Sequence, residues 1–343
     1  MKHLVPLALA LCLVSLFSCT EKKAEEPLAV IYETDMGNDV DDALGLDLIY
    51  KYVDAGKVNL LAVMLNKEGT APAEYVDLVN TWYGYPETPI GIIHDGADCE
   101  NDAVNYAHAV CAMTGADSVP AFARTLSGYD DLPDAHLLYR KILASQPDHS
   151  VTVISVGFST NLARLLATAP DDYSPLTGRE LVARKVKLLS MMAGCFNGAS
   201  PAWEYNVIKD TAAAHRVFAD WPTPIVTSPV EVGAAVCYPA QSIENDFSWA
   251  DPHPVIEAYK AYRPMPYDEP MFDPTAIVYA LEGDGFFTMS LPGRIEVDSL
   301  GGTVFQPDQD GSRRYFHVNE AQADSLKNFF IKHLTSRPKK YAE

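Results

Sequence analysis

Apolar and polar positions fall into blocks that read as strand followed by helix along most of the chain. Leu28–Tyr32 is an apolar run; beyond a cluster of aspartates, Ala43, Leu44, Leu46, Leu48 and Ile49 recur at roughly helical spacing. That segment reads as strand, acidic loop, helix. Val58–Leu65 predicts a buried strand ending at Asn66, Ala71–Tyr83 a helix, and Pro89–His94 a further strand. An irregular stretch over 95–117 follows, with the polar cluster Asn101, Asp102, Asn105, Tyr106 and His108. The pattern then predicts a helix over Asp134–Ser145, a strand over Val151–Val156 and a helix starting in Thr160–Leu166. A strand over Lys185–Met192, a helix over Thr211–Phe218, a strand over Thr223–Thr227 and a helix over Asp273–Leu281 complete the alternation. Such alternation implies right-handed crossovers and an α/β fold with a doubly wound, mostly parallel sheet. Over Phe286–Val318 the period changes to two, and the turn Asp308–Ser312 (DQDGS) predicts a small antiparallel C-terminal hairpin beside the main sheet. Glu320–Leu334 predicts a closing helix.

The amino terminus departs from this pattern. Lys2 and His3 precede the uncharged apolar run Leu4–Phe17, which is short for a bilayer span and reads as the core of a signal peptide over 1–18. Leu16-Phe17-Ser18-Cys19 resembles a bacterial lipobox, which would make Cys19 the lipidated first residue; an ordinary cleaved signal with an incidental cysteine is the alternative. The polar stretch Thr20–Pro27 suits a tether, so 19–27 reads as a lipid-anchored tether and 28–343 as the domain. The expected location is the bacterial cell envelope, with membrane contact through the N-terminal lipid only. Net charge −20 argues against nucleic acid or anionic lipid as partner and predicts a neutral or cationic substrate. Cys99, Cys111, Cys195 and Cys237 show no metal spacing and read as buried thiols or a Cys99–Cys111 disulfide. The sequence leaves a homo-oligomer open.

Asp35, Asp39, Asp41 and Asp42 would gather at the carboxyl end of the first strand, where open α/β sheets place their binding crevice. Like charges that close repel unless a cation sits among them, and hard oxygen ligands suit Ca2+ or Mg2+. Taken alone, the cluster is equally well read as a solvated turn whose aspartates cap the next helix.

Four blocks in order change that balance. ETDMGNDVDDALGL resembles the metal-binding signature Asp-x-Asp-Pro-Gly-x-Asp-Asp-Ala of the inosine/uridine-preferring nucleoside hydrolase family. VTVISVGFSTNLARLL (151–166), LLSMMAGCFNGASPAWEYNVIKDTAAAHRVF (188–218) and MFDPTAIVYAL (271–281) resemble three later blocks of that family. The resemblance implies that Asp35 ligates Ca2+ and takes the proton of the attacking water. It implies further metal ligands at Asp42, Asp273 and the backbone carbonyl of Val156. Asp41, Asn66, Glu204 and Asn206 match residues that hold the ribose, and Asn197 lies one place from another. The implied reaction is hydrolysis of the N-glycosidic bond of a neutral nucleoside or related N-riboside. Carboxylates beside the sugar suit its oxocarbenium-like transition state.

The departures are as informative as the matches. The acidic loop is two residues longer than the family's, so that Asp39 competes with Asp41 for a role, and Glu33 stands where the signature begins with aspartate. Phe272 stands where many members carry the histidine that protonates the leaving base, and phenylalanine cannot act as an acid. His94 and His108 are the replacement candidates, and Glu231 is a further candidate for lining the site. Two other classes remain. A phosphotransferase of haloacid-dehalogenase type would need a nucleophilic aspartate at Glu33 and a threonine or valine at Gly37. A metal-dependent sugar-binding lipoprotein without turnover would keep the ligands and dispense with the acid.

Overall fold

The acidic loop follows the first strand in the computed structural model, which describes residues 26–97, 105–200 and 202–342. The leader, Cys19, Cys99, Asn101 and Asp102 lie outside the described residues. Strands β1 (Leu28–Thr34), β2 (Val58–Leu65), β3 (Ile90–Gly91), β4 (Val151–Ser155), β5 (Val186–Met192) and β6 (Ile225–Ser228) form a parallel array in the order β3-β2-β1-β4-β5-β6. β7 (Cys237–Tyr238) and β8 (Glu269–Pro270) pair with each other away from it. β9 (Thr288–Met289), β10 (Gly293–Val297), β11 (Thr303–Pro307) and β12 (Arg313–His317) extend the main sheet beyond β6.

Successive side chains on a strand point to opposite faces, and the central strands are apolar on both. Val30 and Tyr32 of β1 enter one core and Ile31 the other; Ile154 and Val153 of β4 divide in the same way. Helices Asp41–Asp54, Thr70–Tyr83, Pro254–Tyr262, Phe272–Glu282 and Glu320–Leu334 cover the first face. Helices Ala135–Ser145, Thr160–Ala167, Gly178–Lys185 and Thr211–Asp220 cover the second. Cys111, Cys195 and Cys237 are free thiols, the first two buried.

The carboxyl-terminal third corrects two sequence expectations. The hairpin is β10–β11, and the turn at Asp308–Ser312 does not close it: that turn carries the chain past β10 to β12, which pairs parallel with β6. The hairpin is therefore an extension of the main sheet. Arg313 explains why β12 docks there. Its buried guanidinium donates to the carbonyls of Phe218 (2.9 Å), Trp221 (2.7 Å) and Thr223 (3.1 Å), in the segment that leads into β6. The strand expected over 89–94 is only two residues long because Ile92 leaves the ladder to pair with the segment before helix Ala135–Ser145. The stretch expected to be irregular contains the short helix Tyr106–Cys111, capped by the Asn105 side chain.

Arg313→Met keeps the buried stem and removes the donors from three carbonyls. The expected loss is about 3 kcal/mol of unfolding free energy, read as a lower urea midpoint at unchanged slope. A loss under about 1 kcal/mol would mean that the guanidinium does not tie β12 to the sheet.

Candidate active site

β1 and β4 are neighbours whose chains leave the sheet for opposite faces, so a crevice opens between their carboxyl ends. Asp35 is the first residue beyond β1 and Val156 the first beyond β4. Backbone hydrogen bonds bind the strand ends together: Val156 N–H donates to the Glu33 carbonyl (2.8 Å) and Asn66 N–H to the Thr34 carbonyl (3.0 Å). The Asn66 side chain donates from Nδ2 to the Val156 carbonyl (2.9 Å), while its Oδ1 has no partner among the described residues. Gly157 makes the arrangement possible. Its φ is +86°, and a Cβ there would lie 2.4 Å from Asp35 Oδ1 and 2.7 Å from Asn66 Oδ1. Glu33 lies behind Asp35, accepting the Tyr139 hydroxyl (2.6 Å), and burial pushes its carboxyl up to about 8.

Two helix starts bring the remaining carboxylates. Asp41 and Asp42 open helix Asp41–Asp54, and Asp273 lies in the first turn of helix Phe272–Glu282. The helices pack closely at Gly45, where a Cβ would sit 2.7 Å from Ile277 Cδ1. Asp273 N–H then donates to Asp41 Oδ2 (2.9 Å), so Asp41 caps the second helix, and both helix dipoles favour negative charge at this point. The Thr34 hydroxyl donates to Asp42, and the Asn38 amide to Asp35. Lys67 Nζ in turn donates to the Asn38 side-chain oxygen Oδ1 at 2.5 Å.

Asp35, Asp42 and Asp273 each present an oxygen within 4.8 Å of the others, and all three are buried. Burial pushes Asp35 up to about 6, partly offset by Asn38 and Lys67. Burial, then the neighbouring negative charges, raises Asp41, Asp42 and Asp273 well above the carboxylate range. Three buried hard-oxygen donors this close, with a further orphan oxygen on Asp41, match the donor set of a divalent cation.

The trio forms the floor of a cavity of about 530 Å3. Asp41, Glu204 and Asn206 line it beside the floor; Met192, Val230, Tyr205, Tyr262 and Phe272 supply an apolar and aromatic wall. Glu204 caps helix Tyr205–Lys209 through the N–H groups of Asn206 (2.7 Å) and Val207 (3.1 Å), and burial pushes it up to about 7. Its capping and cavity positions coincide. Asp39 is exposed at the mouth and accepts the Tyr262 hydroxyl at 2.6 Å. Asn66 lies fully buried behind the floor. Asn197 is exposed and outside the lining, its side chain accepting the Ala199 N–H in its own loop (2.8 Å).

No histidine lines the cavity among the described residues. The His94 side chain is 62% exposed beside Asp134, and His108 is exposed on helix Tyr106–Cys111, so neither candidate acid reaches the site. Glu231 accepts the Phe196 N–H (2.9 Å) and orders the 194–198 loop without lining the cavity. Tyr262, Tyr205, Asn38 and Lys67 were absent from the sequence-derived site. Asn38 and Lys67 adjoin named residues and offered a proximity signal; Tyr262 lies in a helix with no motif.

The family whose sequence pattern matches residues 30–329 is described as "Inosine-uridine preferring nucleoside hydrolase". No curated protein matches the sequence significantly. Among solved structures, the chain is similar to the plant nucleoside hydrolase PpNRh1 (18% identity, TM-score 0.65, 91% of this chain and 100% of that one). It is similar to an inosine-guanosine nucleoside hydrolase (18%, TM-score 0.65, 90% and 97%) and to an inosine-uridine preferring nucleoside hydrolase from Bacillus anthracis (18%, TM-score 0.63, 89% and 99%). At that identity the structural likeness establishes the fold.

The raised carboxyls fix the pH response of the metal-free protein. Asp35 (about 6), Glu204 (about 7) and Glu33 (about 8) hold protons more tightly folded than unfolded, where carboxyls titrate at about 4. What these three carboxyls contribute to stability in chelator is therefore full below about pH 4 and is lost as pH rises toward about 8. Denaturant unfolding across that window in EDTA checks this; stability rising over the same range would contradict it.

Proposed function

Since the chain belongs to the inosine-uridine preferring nucleoside hydrolase family and is an enzyme of that type, we propose that it hydrolyses the N-glycosidic bond of a nucleoside or related N-riboside, releasing base and ribose in a calcium-dependent reaction. The observation that carries this reading is the convergence of Asp35, Asp42 and Asp273 within 4.8 Å on the floor of a cavity large enough for a nucleoside.

Asp35, Asp42, Asp273 and the Val156 carbonyl would hold the ion. When bound, calcium supplies polarisation of a water and chelation of vicinal hydroxyls. Asp35 accepts the proton that the water gives up. The Asn38 amide on its carboxylate and Lys67 behind that amide keep it oriented and favour its ionised form. Asp41 has one oxygen committed to the Asp273 N–H and offers the other, Oδ1, to a ribose hydroxyl. Asn66 Oδ1 is a further orphan acceptor, behind the floor, its Nδ2 being committed to Val156. Glu204 gives its oxygens to backbone N–H groups, so it acts on the sugar through its charge, which favours a positive anomeric carbon. Asn206 completes the polar wall, and Asn197 has no part in this reading.

Anchoring through Cys19 is proposed on the lipobox alone. The tether would join β1 at Leu28, and Asp35 stands at the other end of that strand, roughly 23 Å away by strand rise. An anchored enzyme would thus hold its cavity away from the attachment end. Cys19→Ala is expected to move the protein from washed membranes to the soluble fraction; retention in membranes would contradict the anchor.

The metal reading is tested by calorimetry with Ca2+ and reducing-sugar release from a nucleoside panel. Wild type is expected to take up one ion per chain. Asp42→Ala is expected to take up none and to lose at least about a thousandfold in kcat/KM, as for removal of a group that stabilises developing charge. Equal uptake by both proteins would refute the ligand assignment.

A further inference from the structure

Among the described residues the cavity has no histidine to protonate a leaving base, and it carries more negative charge than the proposed chemistry uses. Six of its lining residues are carboxylates: Asp35, Asp39, Asp41, Asp42, Glu204 and Asp273. A divalent cation on the floor and Lys67 on Asn38 offset part of that charge, and the cavity stays acidic. Asp39 has no place on the floor. It belongs to the longer acidic loop and stands at the mouth, fixed by the Tyr262 hydroxyl at 2.6 Å. Arg263 donates to the same hydroxyl at 2.9 Å, lies over the Tyr262 ring at 4.6 Å and pairs with Glu269 at 3.7 Å, so its one charge is shared between Glu269 and Asp39 and leaves the pair net negative. The wall beside Asp39 is aromatic, with Tyr262, Tyr205 and Phe272. An aromatic wall with a fixed carboxylate at its edge is the recognition chemistry of a flat organic cation.

The missing acid points the same way. Phe272 has no proton to give, no imidazole lines the cavity among the described residues, and Tyr262 already donates to Asp39. Burial and the Asp39 charge push the Tyr262 phenol upward, making it a poorer acid than free tyrosine. Resting on the nucleoside-hydrolase reading above, we propose that the preferred substrate is a cationic N-riboside, in which the glycosidic nitrogen is a quaternary ring nitrogen of the N-ribosylpyridinium kind. In such a substrate the bond between the anomeric carbon and the ring nitrogen breaks with its electron pair going to nitrogen. The ring leaves as a neutral base and needs no proton. Water forms the new carbon–oxygen bond and loses one proton to Asp35, which releases it to solvent, so the reaction yields ribose, neutral base and one proton. A neutral nucleoside would instead expel an anionic base, and no imidazole lines the cavity among the described residues to protonate it. Positive charge moves from the ring toward the sugar as the bond breaks, bringing it closer to Glu204 and Asp41, so the carboxylates favour the transition state over the bound cation. The neutral product has lost the charge that Asp39 held, which assists its release.

The test uses the full chain with Ca2+ and compares nicotinamide riboside, a stable N-ribosylpyridinium cation, with inosine, uridine and p-nitrophenyl riboside. The last is neutral yet needs no acid, so it separates the charge of the substrate from the quality of its leaving group. The expected kcat/KM for nicotinamide riboside exceeds that for inosine and uridine by about a hundredfold or more, the range a positioned acid would have supplied. Asp39→Asn is expected to lower the ratio of nicotinamide riboside to p-nitrophenyl riboside by about tenfold, with Asp39→Glu restoring most of it. Inosine or uridine turned over as well as nicotinamide riboside would overturn the specificity and leave nucleoside hydrolysis standing. A ratio unchanged in Asp39→Asn would overturn the recognition by Asp39. Release of ribose from none of the four would overturn the nucleoside-hydrolase reading together with the specificity.

Discussion

Mutual repulsion among buried carboxylates is the constraint on which this structure turns. Asp35, Asp42 and Asp273 present oxygens within 4.8 Å of one another in a place with little water, and Asp41 sits beside them. Such groups cannot all be ionised without a counter-charge, and burial already holds Asp35 at about 6 and the others well above their ordinary range. The surrounding fold supplies partial compensation from two helix amino termini, the Thr34 hydroxyl, and the Asn38–Lys67 pair. A divalent cation would complete it. What the metal-free protein loses in stability is thus the same repulsion that would give the ion its affinity.

The scaffold can sustain that cost because the strands beneath are buried on both faces and their ends are tied by backbone hydrogen bonds. Two glycines set the tolerances. Gly157 allows the β4 end to approach Asp35, and Gly45 allows the two helices to bring Asp42 to Asp273. Neither residue lines the cavity, yet a Cβ at either would separate the carboxylates. The wall above the floor is built differently, from residues of distant segments: Met192, Glu204, Val230, Tyr262 and Phe272 come from five separate parts of the chain. The floor is therefore dictated by the sheet geometry, and the wall by packing between distant segments.

That division also explains what was legible in the sequence. The floor residues lie at strand ends and helix starts, where period and motif mark them: Asp35 after an apolar run, Asp41 and Asp42 before helical spacing, Asp273 before Pro274. The alternation of strand and helix gave the parallel array for the same reason. Tyr262 carries no local signal, because its partner Asp39 lies 223 positions away and only the packing of helix Pro254–Tyr262 joins them. Asn197 shows the reverse case, since a position one step from a motif has its side chain exposed in its own loop. The turn at Asp308–Ser312 is a real turn, but local turn chemistry does not say which strands it separates, and the buried Arg313 sends β12 to β6. Period-two alternation likewise cannot distinguish a free hairpin from one that continues a sheet.

A crystal structure of the protein grown with Ca2+ and ribose tests the central claim most directly. The account predicts one ion held by carboxylate oxygens of Asp35, Asp42 and Asp273 and by the Val156 carbonyl at about 2.3–2.6 Å. It also predicts that the vicinal hydroxyls of the ribose complete the ion's shell. An ion bound at any other place, or ribose bound in this cavity with water alone among the three carboxylates, would contradict it.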